Sequence, residues 1–316
     1  YKPRDEDIIT VTYPKCGTNW TQFIIWNILT RAKPCSNVGE FSLMCPFIDL
    51  TGAEAADNPS RTGSIVTHLP MSVFQPVEHA KYIYVARNPY DCAVSYYHFI
   101  KGITPKTVTD VSFERFLFMF VDGKRASFLL QKTLRKLGSE QGHRVGFRGL
   151  PAHTRVVYGD YFDHLIPWYE RRHDANVLFI TYEELKKDTR EQVLKIGDFL
   201  SEKHGAALRQ DEGLLDRVIE ACSLERMRVL LKDKPQDRIR KLVETAEEKN
   251  QSSELLKNLP EQEVEMHEGV GFVRKGIVGD WKNHFTPEQI ERTKAWIAKK
   301  TQGSDVMTLW KDCDLP

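Results

Sequence analysis

An α/β domain with a central parallel sheet flanked by helices is the fold class this sequence predicts, and three observations predict it. The apolar runs Ile8 to Tyr13, Lys81 to Ala86 and Asn176 to Thr181 are too short for helices and do not alternate polar with apolar. Each is followed at once by helical sequence. Strands that are apolar on both faces, with helices between them, belong to parallel sheets covered on both sides, and ligands bind such sheets beyond the strand C-termini.

The first strand, IITVTY, is rich in β-branched and aromatic residues and stops at Pro14. After Gly17 a helix is predicted, because Trp20, Phe23, Ile24, Asn27 and Ile28 recur at three- and four-residue steps. Ile65 to Pro70 reads as a short apolar strand that ends in a turn and carries His68. Lys81 to Ala86 runs into Arg87-Asn88-Pro89, where Asn88 suits the N-cap, Pro89 the first helical position and Asp91 the first-turn acid of a helix from Tyr90 to about Phe99. The third strand leads into helical sequence from Glu183 onward. Lys124 to Arg155 carries many Lys and Arg with Glu140 as its one acid; it reads as a solvated insertion, the alternative being a polyanion or partner contact. Arg238 to Lys257 is dense in both signs and reads as an exposed helix.

At 316 residues, residues 1–316 are expected to form one domain with a substantial core. The 45 Lys+Arg nearly balance the 44 Asp+Glu, which argues against a surface built for nucleic acid or an anionic membrane and requires any anion site to be concentrated. The six cysteines form no C-x-x-C pair and are expected to be free thiols in a reducing compartment. No stretch approaches the ~18 apolar residues of a membrane span, and the first residues lack a signal-peptide core, so a cytoplasmic protein is expected. The first strand starts so close to Tyr1 that a natural N-terminal segment ahead of it is expected.

Chemistry concentrates in three segments and one histidine. In Thr12 to Trp20 (TYPKCGTNW), Gly17 lets a ligand approach the backbone, the N–H groups of Gly17 to Asn19 can face an anion at a helix N-terminus, Thr18 adds a hydroxyl and Lys15 a mobile charge. The lysine precedes the glycine, so this is not a Walker A loop, and taken alone it equally fits an ordinary strand-to-helix turn. In the second segment Arg87 and Ser95 can converge on an anion; alternatively Arg87 pairs with Asp91 while Ser95 faces solvent. The third, Arg274 to Lys282 (RKGIVGDWK), puts two cations and two glycines in a loop suited to phosphate. His68 is one of ten histidines and by itself reads as a hydrogen-bonded structural residue.

In this order, TYPKCGTNW, YVARNPYDCAVSYYHF and RKGIVGDWKNHFT resemble the signature segments of the cytosolic sulfotransferases, and the resemblance runs from Asp5 to about Lys300. It implies an α/β fold with a P-loop-like phosphosulfate-binding loop and transfer of the sulfuryl group of 3′-phosphoadenosine-5′-phosphosulfate (PAPS) to a hydroxyl or amine, leaving adenosine 3′,5′-bisphosphate (PAP). By position, Lys15, Cys16, Gly17, Thr18 and Asn19 would hold the 5′-phosphosulfate, and Arg87, Ser95, Arg274, Lys275 and Gly276 the 3′-phosphate. Trp20, Tyr182, Phe272, Ser223 and Met227 match positions around the adenine. His68, in a THLP segment, matches the catalytic base, and Lys15 the group that stabilises the leaving phosphate; the family also implies that Ser95 holds the Lys15 amine until an acceptor arrives. No metal is implied.

The chain departs from the family pattern at four places. Val66 stands where a lysine is usual, two residues before the histidine. Cys16 replaces a common serine, either as a passive small residue or as a thiol activated beside Lys15. Residues 125–155 read as additional to the pattern, and Pro287 replaces the usual valine in Lys282 to Glu291, which resembles the family's dimerisation motif and leaves a homodimer as an option with one backbone donor lost. A small acceptor is expected, a phenol, phenolic amine, alcohol or steroid, in a pocket drawn from Phe41, Leu43, Met44, Phe47, Ile48, Tyr96, Phe99 and Phe113 to Phe120, with Asp49, Glu54 or Asp57 available to a protonated amine. Two other readings compete: a PAPS-binding homologue with little or no turnover, motivated by Val66, and a P-loop kinase-like enzyme, disfavoured by the missing Walker A spacing.

Overall fold

The computed structural model describes residues 1–103, 111–122, 158–233, 235–249, 251 and 273–316. The basic segment 125–155 and Phe272 therefore lie outside the described residues. Four parallel strands, β1 (Ile8–Thr12), β2 (Ile65–Thr67), β3 (Lys81–Ala86) and β4 (Val177–Thr181), form a sheet in the order β2-β1-β3-β4. In register, Thr10 lies opposite Val66 and Ile83, and Thr12 opposite Val85. The C-termini of β1, β2 and β3 are consequently adjacent, and the segments that follow them, Tyr13 to Trp20, His68 and Arg87, emerge at one end of the sheet.

The helices are α1 (Thr18–Leu29), α2 (Val38–Met44), α3 (Ile48–Thr51), α4 (Pro89–Ile103), α5 (Phe113–Asp122), α6 (Tyr161–Glu170), α7 (Tyr182–Lys187), α8 (Thr189–Leu200), α9 (Glu202–Gln210), α10 (Glu212–Ala221), α11 (Leu224–Leu230), α12 (Pro235–Glu248) and α13 (Pro287–Lys300), with 3-10 turns at Ala53–Asp57, Asp280–Asn283 and Val306–Trp310. The pleat explains why they cover both faces. Ile9, Val11, Tyr82 and Tyr84 bury into one layer with Trp168 of α6, Phe120 of α5 and Trp296 of α13. Ile83, Val85, Leu178 and Ile180 bury into the other with Phe23, Ile24 and Ile28 of α1. This two-sided burial is why the strands show no alternation of polar and apolar residues. Among the described residues, no helix is long and apolar enough to cross a membrane.

Capping follows the sequence closely. The Asn88 side chain accepts from Asp91 N–H at 2.9 Å, Thr181 and Glu184 form a reciprocal capping box at α7, and Thr286 and Gln289 form another at α13. Pro287 occupies the first turn of α13, where a backbone N–H would have no intrahelical partner, so the donor it lacks costs the helix nothing.

Within its described residues, the segment Arg238 to Lys257 corrects the expectation of an exposed helix; residues 250 and 252–257 lie outside them. Leu242, Thr245 and Ala246 of α12 are buried, and α12 packs closely on α2, where Phe41, Leu43 and Met44 are core residues too. A Cβ on Gly39 would stand 2.2 Å from the Lys241 carbonyl oxygen. Gly39→Ala should therefore force the two helices apart and destabilise the protein by about 1–3 kcal/mol, read as a lowered denaturation midpoint. The apolar stripe on α12 is narrow and flanked by charge on both sides, which hides its buried face from a composition reading.

Candidate functional site

The turn after β1 is held in a conformation few residues adopt. Lys15 has φ 72° and Gly17 φ 110°, and Gly17 sits at the N-cap of α1 with no side chain capping that helix. The first-turn N–H groups are thus left for a ligand, and the helix dipole favours an anion there. A Cβ on Gly17 would lie 3.0 Å from the Tyr182 ring, so the ring closes one side of the cradle as a side chain at residue 17 would not allow. Thr18 Oγ1 lies 2.7 Å from Thr12 Oγ1.

His68 follows β2, and three groups fix it. Its Nδ1 lies 2.8 Å from the Thr12 carbonyl oxygen, which can only accept, so Nδ1 carries the hydrogen and Nε2 keeps its lone pair. Its backbone N–H donates to Asp49 Oδ2 at 2.8 Å, while Thr67 Oγ1 donates to Asp49 Oδ1 at 2.6 Å. His164 Nε2 donates to the His68 carbonyl at 3.1 Å, and the Tyr84 hydroxyl donates to His164 Nδ1 at 2.8 Å. Phe47 and Tyr158 set their rings edge-on to the imidazole, with centroids 5.0 and 5.2 Å away. Burial, with repulsion from Lys15 added, pushes the His68 pKa down to about 4, against the opposing pull of the Thr12 carbonyl. The imidazole is therefore neutral at neutral pH.

Lys15 is the nearby charge. Its Nζ lies 4.4 Å from the centroid of the Phe99 ring. Burial first, and the Arg87 guanidinium second, push its pKa down to about 7. Arg87 is buried, its guanidinium 4.4 Å from the Tyr182 ring centroid, with Nη1 donating to the Lys15 carbonyl at 3.2 Å and Nη2 to the Ile277 carbonyl at 3.3 Å. Its Nε is buried without a hydrogen-bond partner among the described residues. Such an orphaned charged donor is costly unless a ligand meets it. The expected alternative, an Arg87–Asp91 pair, is not what forms. Asp91 accepts instead from the N–H groups of Gly279 and Trp281, at 2.7 and 3.0 Å, and so fastens the Arg274 to Lys282 loop to α4.

In that loop Arg274 and Lys275 both reach Asp280, at 2.5 and 2.8 Å. Burial would raise the Asp280 pKa, but its bonds with Lys275, Asn283 and Arg274 outweigh that and hold it well below the usual carboxylate range. Gly276 has φ 69°, and a Cβ there would stand 2.8 Å from Leu224 of α11, the helix capped by Ser223 that buries Met227. Trp20 meets Tyr182 edge-on at 5.6 Å.

The structure thus brings Lys15 to Trp20, Arg87, Tyr182 and the Arg274 to Gly276 loop together around the end of β1 and β3, with Ser95 buried on α4 and Ser223 and Met227 on the helix that Gly276 touches; Phe272 lies outside the described residues. Other expectations need correcting. Cys16 is fully buried, 3.7 Å from the Cys92 sulfur, and burial raises its pKa well above the ordinary thiol value, so it is no activated thiol. Asp49 is engaged by Thr67 and His68, and Asp57 by Arg4 at 2.5 Å, which leaves the exposed Glu54 as the remaining acid for an amine. Phe41, Leu43, Met44, Tyr96, Phe116 and Phe120 are core, whereas Phe47, Ile48 and Phe99 are half-buried and can line a pocket. Thr12, Asp49 and His164 went unrecognised as supports of His68, because no local spacing links them to it. Among the described residues, no cluster of His, Cys, Asp or Glu could hold a metal ion.

Comparison with known proteins gives one consistent answer. The sulfotransferase domain family matches residues 5–305. Sulfotransferase 1B1 of Mus musculus is 32% identical over 94% of this chain and 83% of its own length. The 3-alpha-hydroxysteroid sulfotransferase of Cavia porcellus is 31% identical over 98% and 89%. A crystal structure of a mouse sulfotransferase complexed with PAP superposes with a TM-score of 0.61 at 26% identity, covering 99% of this chain and 90% of that one.

Proposed function

The chain belongs to the sulfotransferase family, and from that premise we propose that it transfers the sulfuryl group of PAPS to a hydroxyl or amine of a small, phenolic or otherwise aromatic acceptor, with His68 as base and Lys15 at the leaving phosphate. The observation that carries this reading is the cradle at the end of β1: uncapped helix amides, Lys15 and an orphaned Arg87 Nε within one site, with His68 pinned beside them. These residues fit the cofactor. The first turn of α1 with Lys15, Thr18 and Asn19 would hold the 5′ end, and Arg87, Ser95 and the Arg274 to Gly276 loop the 3′-phosphate. Trp20 and Tyr182 would flank the adenine, with Ser223, Met227 and Phe272 completing that assignment.

When bound, the cofactor supplies a sulfuryl group whose bond to the 5′-phosphate oxygen breaks as the acceptor oxygen or nitrogen takes its place on sulfur. His68 Nε2, with its lone pair kept by the Nδ1–H bond to Thr12, accepts the acceptor's proton. Lys15 donates a charge-assisted hydrogen bond to the oxygen on which negative charge grows, an interaction strongest in the transition state. Phe47, Phe99 and Tyr158 keep the site apolar around the acceptor.

Calorimetric titration tests the reading before any acceptor is known. PAP should bind at least about tenfold more tightly than ADP, ~1.4 kcal/mol or more, with no need for Mg²⁺; equal or ADP-favoured binding would remove the proposal. The same titration should show proton uptake. Lys15, with its pKa near 7, is mostly neutral at pH 8, and a bound phosphate favours its charged form. Binding at that pH should take up roughly one proton, seen as a heat that varies with the buffer's ionisation enthalpy, and affinity should fall as pH rises above 7. Lys15→Met should abolish both effects.

Val66 supports a second reading, a cofactor-binding homologue with little turnover. It is wholly buried, paired with Thr10, and donates its N–H to the Pro46 carbonyl at 2.9 Å, so it offers the leaving group no charge. PAP binding without transfer to any phenol, amine or steroid would favour it.

A further inference from the structure

One stripe of α4 runs along the Arg274 to Lys282 loop. Asp91, Ser95 and His98 are spaced by four and three residues, the spacing of one helical face. At one end Asp91 binds the N–H groups of Gly279 and Trp281, and at the other the His98 ring meets His284 edge-on, with centroids 5.0 Å apart. Ser95, between them, is already assigned to the 3′-phosphate. His98 Nε2 is buried and meets no hydrogen-bond partner among the described residues. Four buried atoms without a hydrogen-bond partner among the described residues thus belong to this loop and the residues that converge on it: His98 Nε2, Arg87 Nε, Trp281 Nε1 and Asp280 Oδ2, the last ion-paired with Arg274. A buried polar atom without a partner calls for an explanation, and a polar ligand beside charged residues is one.

On the reading of the site just given, we propose that His98 is a further ligand of the 3′-phosphate, donating from Nε2 to a phosphate oxygen as an imidazolium. The groups that bear on it are Arg274, Lys275 and Asp280 from the loop and His284 beside it, while Phe113 of α5 contributes an apolar ring against His284. Without an anion, burial, Arg274 and His284 disfavour its charge and push its pKa down to about 4. A phosphate dianion drawing Arg274 and Lys275 off Asp280 reverses that balance. Asp280 is then left to His284, whose Nε2 already lies 3.4 Å from Oδ2. Binding of the 3′-phosphate would so be coupled to proton uptake at His98 on the acid side of neutrality, where Lys15 is already charged.

The test compares PAP with adenosine 5′-phosphate, which lacks the 3′-phosphate. His98→Gln should weaken PAP by about tenfold, the scale of one charge-assisted hydrogen bond, leave adenosine 5′-phosphate unchanged, and flatten the rise in PAP affinity from pH 7 to pH 5.5. Equal losses for both nucleotides, or none, would overturn the proposal. In the unmodified protein, the His98 imidazole followed by NMR should titrate at higher pH with PAP bound than without; an unmoved titration would also overturn it. A wild-type protein that does not prefer PAP over adenosine 5′-phosphate would instead remove the site assignment on which this inference rests, whatever the variant does.

Discussion

Replacing His68 by alanine should lower sulfuryl transfer by about 10²–10⁴-fold, the usual scale for loss of a general base, while PAP affinity stays the same. The split follows from geometry. His68 donates Nδ1–H to Thr12 and is gripped at its own N–H by Asp49, so the ring is fixed with Nε2 available, yet it contributes none of the amides or cations of the phosphate cradle. The pH profile carries the same signature. The proposed reaction needs His68 neutral, so the rate should fall as pH drops through the His68 pKa, which burial holds near 4 in the free protein. It also needs Lys15 protonated, so the rate on free enzyme should fall above about 7. A variant that binds PAP poorly but turns over normally would contradict the assignment, as would an acid limb unchanged in His68→Ala.

Arg87→Ala should weaken PAP binding by about 2–5 kcal/mol, the range for truncating one partner of a buried charged contact. The guanidinium joins three elements that border the proposed cofactor site: it lies against Tyr182, and it donates to the Lys15 and Ile277 carbonyls. Arg87→Lys keeps the charge but loses the planar fork that reaches two carbonyls and a ligand at once, so it should recover only part of the loss. Calorimetry with PAP and ADP separates the contributions, because a 3′-phosphate ligand loses PAP affinity selectively, whereas a purely structural arginine loses both. Thermal melting of the ligand-free variants checks that the fold survives.

The strands and the helices that flank them were legible because their causes are local. β3 ends as read, β1 and β4 each differ by one terminal residue, and Asn88 and Pro89 mark the start of α4. The residues proposed to hold the cofactor come from three ordered segments, and the fold brings most of them to neighbouring strand ends. What surrounds them was not. Asp49, 19 residues from His68, looked like a surface acid open to an amine and is instead the group that holds the histidine's backbone. Asp91 looked like a helix-capping acid and fastens a loop 188 residues away. Cys16 left two readings open, a passive small residue or a thiol activated beside Lys15, and burial, which no sequence pattern near it announces, raises its pKa and leaves the passive one. In each case the sequence reveals the chemical type and the tertiary partner decides its use.

Arg274 and Lys275 share one carboxylate, Asp280, within the same loop, so half of their charge is already matched before any ligand arrives. A cation waiting in open solvent gathers mobile counterions, and their release on binding makes affinity fall steeply with ionic strength. Here the counterion is part of the chain and stays behind, taken over by the protein rather than returned to bulk solvent. If the loop holds the 3′-phosphate as proposed, the salt dependence of nucleotide binding should therefore be shallower than the number of cations in the pocket implies.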